Sequence, residues 1–423
     1  MNTATKPDTD VLQQIREQAG QRFEQLGWPT PRLEEWKYTN LQALQSRFDA
    51  GAFREAATPA ASRSSASLPL RFGDRALGEL VFVNGVFSPE ASSLPSVAGL
   101  RVTTFRNASV DVLEEHFARY ADYERHALVA LNTANAQDGA VIEADAAIEG
   151  FVHVLFVGSD GFQSFPRNLI VAGRGSQLAV VESYAGTGAY FTNSVTEIVA
   201  EDGAVVDHYR LECESLEAFH VGTVQIHQGR SSSVSSRSFA VGGAVARNDT
   251  NAVLAAEGAN LVLEGLFVTN GTQHIDNHTL IDHAVPHCES VELYKGILDG
   301  SSRGIFDGKI MVREGAQKTV SRQTNKNLLL SKTAVVDSKP TLEIFNDDVK
   351  CNHGSTIGQL EEEPLFYLRS RGIGQEEARN LLVYAFASEL VDRIRIDAVR
   401  EQIGRVMFQQ MPGRLPDRRG EQR

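Results

Sequence analysis

A chain of 423 residues, 42% hydrophobic and 22% charged, can hold one large domain or two to three ordinary ones and buries a core easily. Its net charge of −13 disfavours unselective attachment to nucleic acid or anionic lipid. Cys213, Cys288 and Cys351 are too few and too scattered for a disulfide framework, which fits a reducing compartment.

Elements follow in chain order. Met1 to Asp10 is polar and lacks the apolar run of a secretory signal. From Asp10 to Leu26, Val11, Ile15, Ala19 and Phe23 recur at helical spacing and Gly27 ends the run. After Pro29, Thr30 and Pro31, a second helix is expected over Leu33 to Phe48. Residues 50–67 are rich in Ala, Ser and Arg, the composition of a flexible linker. Leu80 to Phe87 reads as a strand pair reversed at Asn84-Gly85, a type I′ hairpin dipeptide. Val110 to Asn135 returns to helical period.

From Asp138 to Ile357 helix signals vanish and short alternating stretches recur behind glycine turns. Segments opening at Gly175, Gly203, Gly229, Gly258 and, after one skipped unit, Gly315 repeat at about 26 to 29 residues. A β-sandwich would alternate similarly, but it rarely takes so many strands without a domain break, so stacked β-coils are preferred. An open solenoid end exposes unpaired backbone and must be capped or paired. The chain closes with predicted helices over Glu361 to Arg371 and Gln375 to Phe408, parted by Gly372 and Gly374. In the second, Ala378, Leu381, Leu382, Ala385, Phe386, Leu390 and Ile394 make an apolar face, which sequence alone assigns to packing on its own domain. Arg414, Arg418, Arg419 and Arg423 read as a solvated tail. No apolar run approaches the ~20 residues of a membrane span, and a cytoplasmic protein is expected.

Two constellations invite chemistry. His274, His278, His283, His287, Asp276, Asp282 and Cys288 lie within fifteen residues and invite a metal reading, yet strand alternation need not bring them together, and turn-stabilising hydrogen bonds are the simpler account. Cys351 and His353, two apart, project from one strand face; a thiolate beside imidazole and Lys350 can be activated and suits iron, although two ligands do not complete a site. No P-loop or Gly-x-Ser-x-Gly elbow is present. A polysaccharide-cleaving β-helix would need clustered carboxylates in an aromatic-lined groove, and a mononuclear metal hydrolase would have to be built on His274–His287.

The run 339–359, with Asp347-Asp348-Val349-Lys350-Cys351-Asn352-His353-Gly354 at its centre, resembles the signature of the SufB/SufD family, and Phe366-Tyr367-Leu368-Arg369 continues it. Asp282 to His287, Tyr294 to Gly300, Gln323 to Ser331 and the N-terminal run Gly27 to Thr39 are similar to the same pattern, so nearly the whole chain is covered. SufB proteins carry Glu-His-Glu where this chain has Cys351-Asn352-His353-Gly354, which points to the SufD branch. The resemblance implies a mainly β fold: a right-handed parallel β-helix over 137–358, flanked by helical domains over 1–136 and 359–423. It implies a scaffold, not an enzyme, in the SUF iron–sulfur cluster assembly complex. A SufB-like subunit would pair through the β-helix ends, and a SufC-like ATPase would dock on the C-terminal helices at Ala378, Leu381, Leu382, Ala385 and Phe386. His353, with Cys351, would serve as an interface ligand for a nascent cluster; no cofactor is expected to be held stably by the chain alone, which could homodimerise in isolation.

Overall fold

The structure is a computed structural model describing residues 9–56 and 70–410. Residues 57–67 of the expected linker, the side chain of Val11 and the tail arginines Arg414, Arg418, Arg419 and Arg423 lie outside that description. Helix α1 (Thr9–Leu26) ends at Gly27, whose φ of +65° lets its N–H bond Phe23 O at 2.7 Å. The expected second helix is broken into a 3₁₀ turn at Glu34–Trp36 and α2 (Gln42–Asp49). The Asn40 side chain accepts the Gln42 N–H at 2.8 Å and starts the new helix, while Trp36 and Leu41 turn inward. Within 50–56 most side chains are exposed, but Phe53 is buried and the Arg54 backbone bonds Gly161 O at 3.0 Å and the Gln163 N–H at 2.9 Å, so the start of the expected linker is tied to the coils.

Strands β1 (Gly78–Val83) and β2 (Val86–Phe87) form the expected hairpin, with φ positive at both Asn84 and Gly85. Next come β3 (Leu100–Thr104), α3 (Val110–His116) and α4 (Ala127–Asn135). The run expected as continuous helix splits because buried Glu197 accepts the N–H groups of Ala118, Tyr120 and Ala121 at 3.2, 2.9 and 2.9 Å.

The coils begin with β4 (Ala140–Ala144), β5 (Val152–Ser159), β6 (Gln163–Ser164), β7 (Arg167–Ala172), β8 (Gln177–Thr187) and β9 (Phe191–Ala200). They continue with β10 (Val205–Cys213), β11 (Phe219–Gln228), β12 (Ser233–Ala240), β13 (Val245–Leu254) and β14 (Asn260–Thr269). The last are β15 (His274–His283), β16 (Glu289–Leu298), β17 (Arg303–Val312), β18 (Val320–Leu329), β19 (Val335–Ile344) and β20 (Lys350–Gly358). Among the described residues these build two ten-stranded sheets, one ending at β20 and the other at β19, in a β-solenoid of about 8 turns. From β8 onward successive strands alternate between the sheets and pair in parallel. Strands β1 to β3 extend both sheets, so the stack begins upstream of residue 137.

One turn position repeats along the stack. Strand register aligns Gly175, Gly203, Ser231, Gly258, His287 and Lys318, and all six have φ between +53° and +78°. Each donates its N–H to a carbonyl of the next coil, from Gly175 to Asp202 O at 2.9 Å through Lys318 to Asp348 O at 2.7 Å. Gly229 and Gly315, which sequence spacing puts in this series, sit two and three residues ahead of the true positions.

Apolar side chains inside the coils, among them Ile142, Val180, Val206, Ile226, Leu261, Ile281 and Phe306, form the principal core. The N-terminal elements cover the outer face of the second sheet through Trp36, Leu44, Phe53 and Leu131 on Phe191 and Phe219. Helices α5 (Glu362–Ser370), α6 (Gln375–Val391) and α7 (Asp397–Gln410) follow the stack, and α6 and α7 cover the outer face of the first sheet around Tyr209, Phe239 and Leu293. Gln375 to Phe408 is therefore not one helix. It breaks at 392–396, where Ile394 and Ile396 fold onto that core and Arg400 Nη1 donates to Ile394 O at 3.0 Å.

Candidate functional site

The stack stops at β19 and β20, each paired on one side only among the described residues. Every earlier coil strand from β8 onward has two neighbours, so this end presents a row of unpaired backbone donors and acceptors. Burial falls away with it: Phe345 is 62% exposed and Ile357 52% exposed, with Val335 and Ile344 also open. Together they rim an apolar edge.

In-register pairing sets Ser321, Gln323 and Asn325 of β18 beneath Cys351, His353 and Ser355 of β20. The pleat sends Cys351, His353, Ser355 and Ile357 to one face, over the mouth of the solenoid interior. Cys351 packs against the inner core, and Ser355 Oγ lies 2.7 Å from Ser338 Oγ, which bonds Asn325 Oδ1 at 2.7 Å. His353 is exposed and Cys351 half-buried, so the two predicted site residues share one face at the open edge. Burial pushes the Cys351 thiol up, against the smaller opposing pull of the Ser321 backbone, which disfavours the thiolate in the unpaired chain. Lys350, one residue away in the pleat, falls on the opposite face and lends no help.

Beneath this mouth the interior turns polar, which sequence reasoning missed. Gln323 Nε2 donates to Glu292 Oε2 at 2.7 Å, and each residue is 1% exposed. Burial pushes the Glu292 carboxyl up to about 7, despite Thr279 and Gln323 beside it. The signal was the two-residue comb Gln323, Asn325, Asn327, whose polar teeth point inward.

The histidine-rich constellation disperses. His274, Asp276 and His278 lie on the outer face of β15, whereas His283 points inward and donates to or accepts from Ser290 Oγ at 2.9 Å. His287 is a turn residue, Asp282 pairs with Arg313, and buried Cys288 directs its Sγ at Ala256 O. Among the described residues no three His, Cys, Asp or Glu side chains converge as a metal site. The outer trio instead anchors the N-terminal segment. Thr39 Oγ1 bonds Asp276 Oδ2 at 2.5 Å, and Arg247 spans Asp276 at 3.0 Å, Glu35 O at 2.6 Å and the Trp36 ring at 4.1 Å. Burial alone would raise the Asp276 carboxyl, but His278 and Arg247 hold it well below the usual carboxylate range.

On α6 the five expected docking residues do not form one open face. Ala378 is buried and Phe386 packs on the solenoid, with Lys295 Nζ 4.2 Å from its ring centre and 2.7 Å from its carbonyl. Leu381 and Leu382 are half-buried and Ala385 exposed. The open aromatic surface lies nearby, at Phe366, Tyr367 and Tyr384. Among the described residues no helix is long and apolar enough to cross a membrane.

Comparison with known proteins identifies the family. The profile of the SUF system FeS cluster assembly SufBD core domain matches residues 155–386, and that of the SufBD N-terminal region matches 2–149. An iron–sulfur cluster assembly SufBD family protein of Synechocystis is 32% identical over 417 residues, covering 94% of this chain and 90% of that protein. The iron–sulfur cluster assembly protein SufD of Escherichia coli is 30% identical over 409 residues, covering 94% and 93%. SufD of Bacillus subtilis is 29% identical over 307 residues, 69% of each chain.

Proposed function

Because the chain belongs to the SufBD family of the SUF iron–sulfur cluster assembly system and is SufD-like, we propose that it is a non-enzymatic scaffold subunit whose open coil pairs with a SufB-like partner. The observation that carries this reading is the unpaired edge at β19 and β20, apolar at Phe345 and Ile357, with His353 and Cys351 on its mouth. A partner strand laid on that edge satisfies the backbone and buries the apolar rim in one step.

Within the joint, His353 offers an imidazole and Cys351 a thiol to a nascent cluster that the partner completes. Soft and borderline donors of this kind suit iron. The raised thiol makes Cys351 the weaker ligand in the unpaired chain, and His353 the principal one. No cofactor is held stably by the chain alone; the cluster is cargo. A SufC-like ATPase docks on the C-terminal helices, where Phe366 and Tyr367 of α5 are exposed and α6 adds Leu381, Leu382 and Ala385. Ala378 and Phe386 support that surface from below. ATP-driven closure of two such ATPase subunits would twist the paired scaffold and open the joint.

The test is reconstitution. Tagged chain co-expressed with untagged SufB-like and SufC-like subunits should retain both. The His353→Ala variant should still assemble and lose cluster formation; unchanged cluster formation would refute the ligand assignment. A chain that retains neither partner would remove the scaffold reading itself.

A further inference from the structure

Directly beneath His353 in the stack lies Gln323, and beneath Gln323 lies Glu292. The three form one inner column across β20, β18 and β16. Gln323 Nε2 donates to Glu292 Oε2 at 2.7 Å. The other end, Gln323 Oε1, is buried with no hydrogen-bond partner. A buried carbonyl left unpaired is costly and calls for explanation.

The room for this amide is built into the facing sheet. A Cβ added at Gly308 of β17 would lie 2.5 Å from Gln323 Nε2 and 2.5 Å from Phe306 Cζ. Glycine there leaves the space the Gln323 side chain fills. The amide nitrogen is thus bounded by Gly308 on one side and Glu292 below, and the amide oxygen has no partner among the described residues. The coil above carries an exposed imidazole, which makes no hydrogen bond to Gln323 in the unpaired chain.

A histidine that binds a metal through one ring nitrogen generally donates its other N–H to a carbonyl or carboxylate, which fixes tautomer and ring orientation. We propose that Gln323, held in place by Glu292, is a positioning residue that accepts the second ring N–H of His353 once the edge is covered, leaving the outward nitrogen bare for iron. The inference rests on the reading of His353 as an interface ligand. It adds a chain of two inner residues that act through it.

The experiment uses the reconstituted complex with only this chain labelled with ¹⁵N-histidine. Magic-angle-spinning ¹⁵N spectra, with His353→Asn identifying the signal, should show His353 as a single neutral tautomer. In the Gln323→Leu variant that signal should split between tautomers, and cluster formation should fall by about tenfold or more, the scale of lost support behind a metal ligand. The exchanged double variant Glu292→Gln and Gln323→Glu reverses the lower hydrogen bond, the new amide donating to the new carboxylate, and still offers an acceptor to the ring above. It should restore both the single tautomer and the rate, which a merely structural role would not do, and it carries the test if Gln323→Leu fails to fold. An unaltered tautomer in Gln323→Leu, or no rescue by the exchange, overturns the column. Intact cluster formation in His353→Ala sinks the ligand reading instead, so the two failures are distinct.

Discussion

His287 holds its backbone at φ +59°, where a side chain costs about 1 kcal/mol or more. Because His287 is exposed and its imidazole serves no site, His287→Gly should raise the thermal midpoint, gaining about 0.5–1 kcal/mol after the added freedom of the unfolded chain is subtracted. Gly258→Ala, at the equivalent turn one coil earlier, should lower it by a similar amount; paired melting curves check both. This also explains what sequence could reveal of the turns. Asn84-Gly85 advertises its conformation by residue type, whereas Ser231, His287 and Lys318 are held left-handed by the ladder of coil-to-coil backbone bonds, which leaves no trace in composition. Glu292 makes a second residue-scale prediction. Its folded carboxyl titrates near 7, above its unfolded value, so the folded state keeps a proton the unfolded chain has released. Stability should therefore fall as pH rises from about 4.5 to 7, by roughly 3 kcal/mol in all. Glu292→Gln should flatten that slope, matching the wild type at pH 5 and melting higher at pH 8.

Elements break where a buried carboxylate or an apolar pair needs the chain to turn. Glu197 does this between α3 and α4 by taking three backbone N–H groups, and it also holds Arg167 Nη2 at 2.6 Å, both side chains being 1% exposed. Removing it strands a buried guanidinium, so Glu197→Ala should cost about 3–5 kcal/mol. The exposed pair Arg101 and Glu143, opened by Arg101→Ala, should cost under about 1 kcal/mol. Urea unfolding of the two variants would rank them. Neither this break nor the one at 392–396 has a glycine or proline to mark it, which is why periodicity ran both helices together. The same limit hid the site's support. Alternation shows that Gln323, Asn325 and Asn327 share a face but not that the face looks inward, and polar teeth normally look out. It also let the histidines of β15 seem clustered, when a period of two sends His283 inside and His274 outside.

At the scale of the molecule the two ends differ. The N-terminal end finishes in the short antiparallel strands β2 and β3, also paired on one side only among the described residues, while the C-terminal end finishes in long parallel strands and carries the run in which the family resemblance is densest. Coil stacking, the turn repeat and the need for a covered end were legible because they are properties of periodic sequence. The partner's identity was not, because an edge specifies only that something must lie along it. Phe345→Glu combined with Ile357→Lys should abolish pairing in size-exclusion chromatography with light scattering, with little change in the melting point of the chain alone, since both side chains are largely solvated before pairing. Each inner coil leans on two neighbours and the last on one. In a quasi-one-dimensional stack, opening therefore starts at the end and travels inward like a fraying rope. Amide protons of β19 and β20 should exchange fastest and those of β9 to β13 slowest, and a seated partner should erase the gradient, so solvent deuterium would time the moment at which the joint closes.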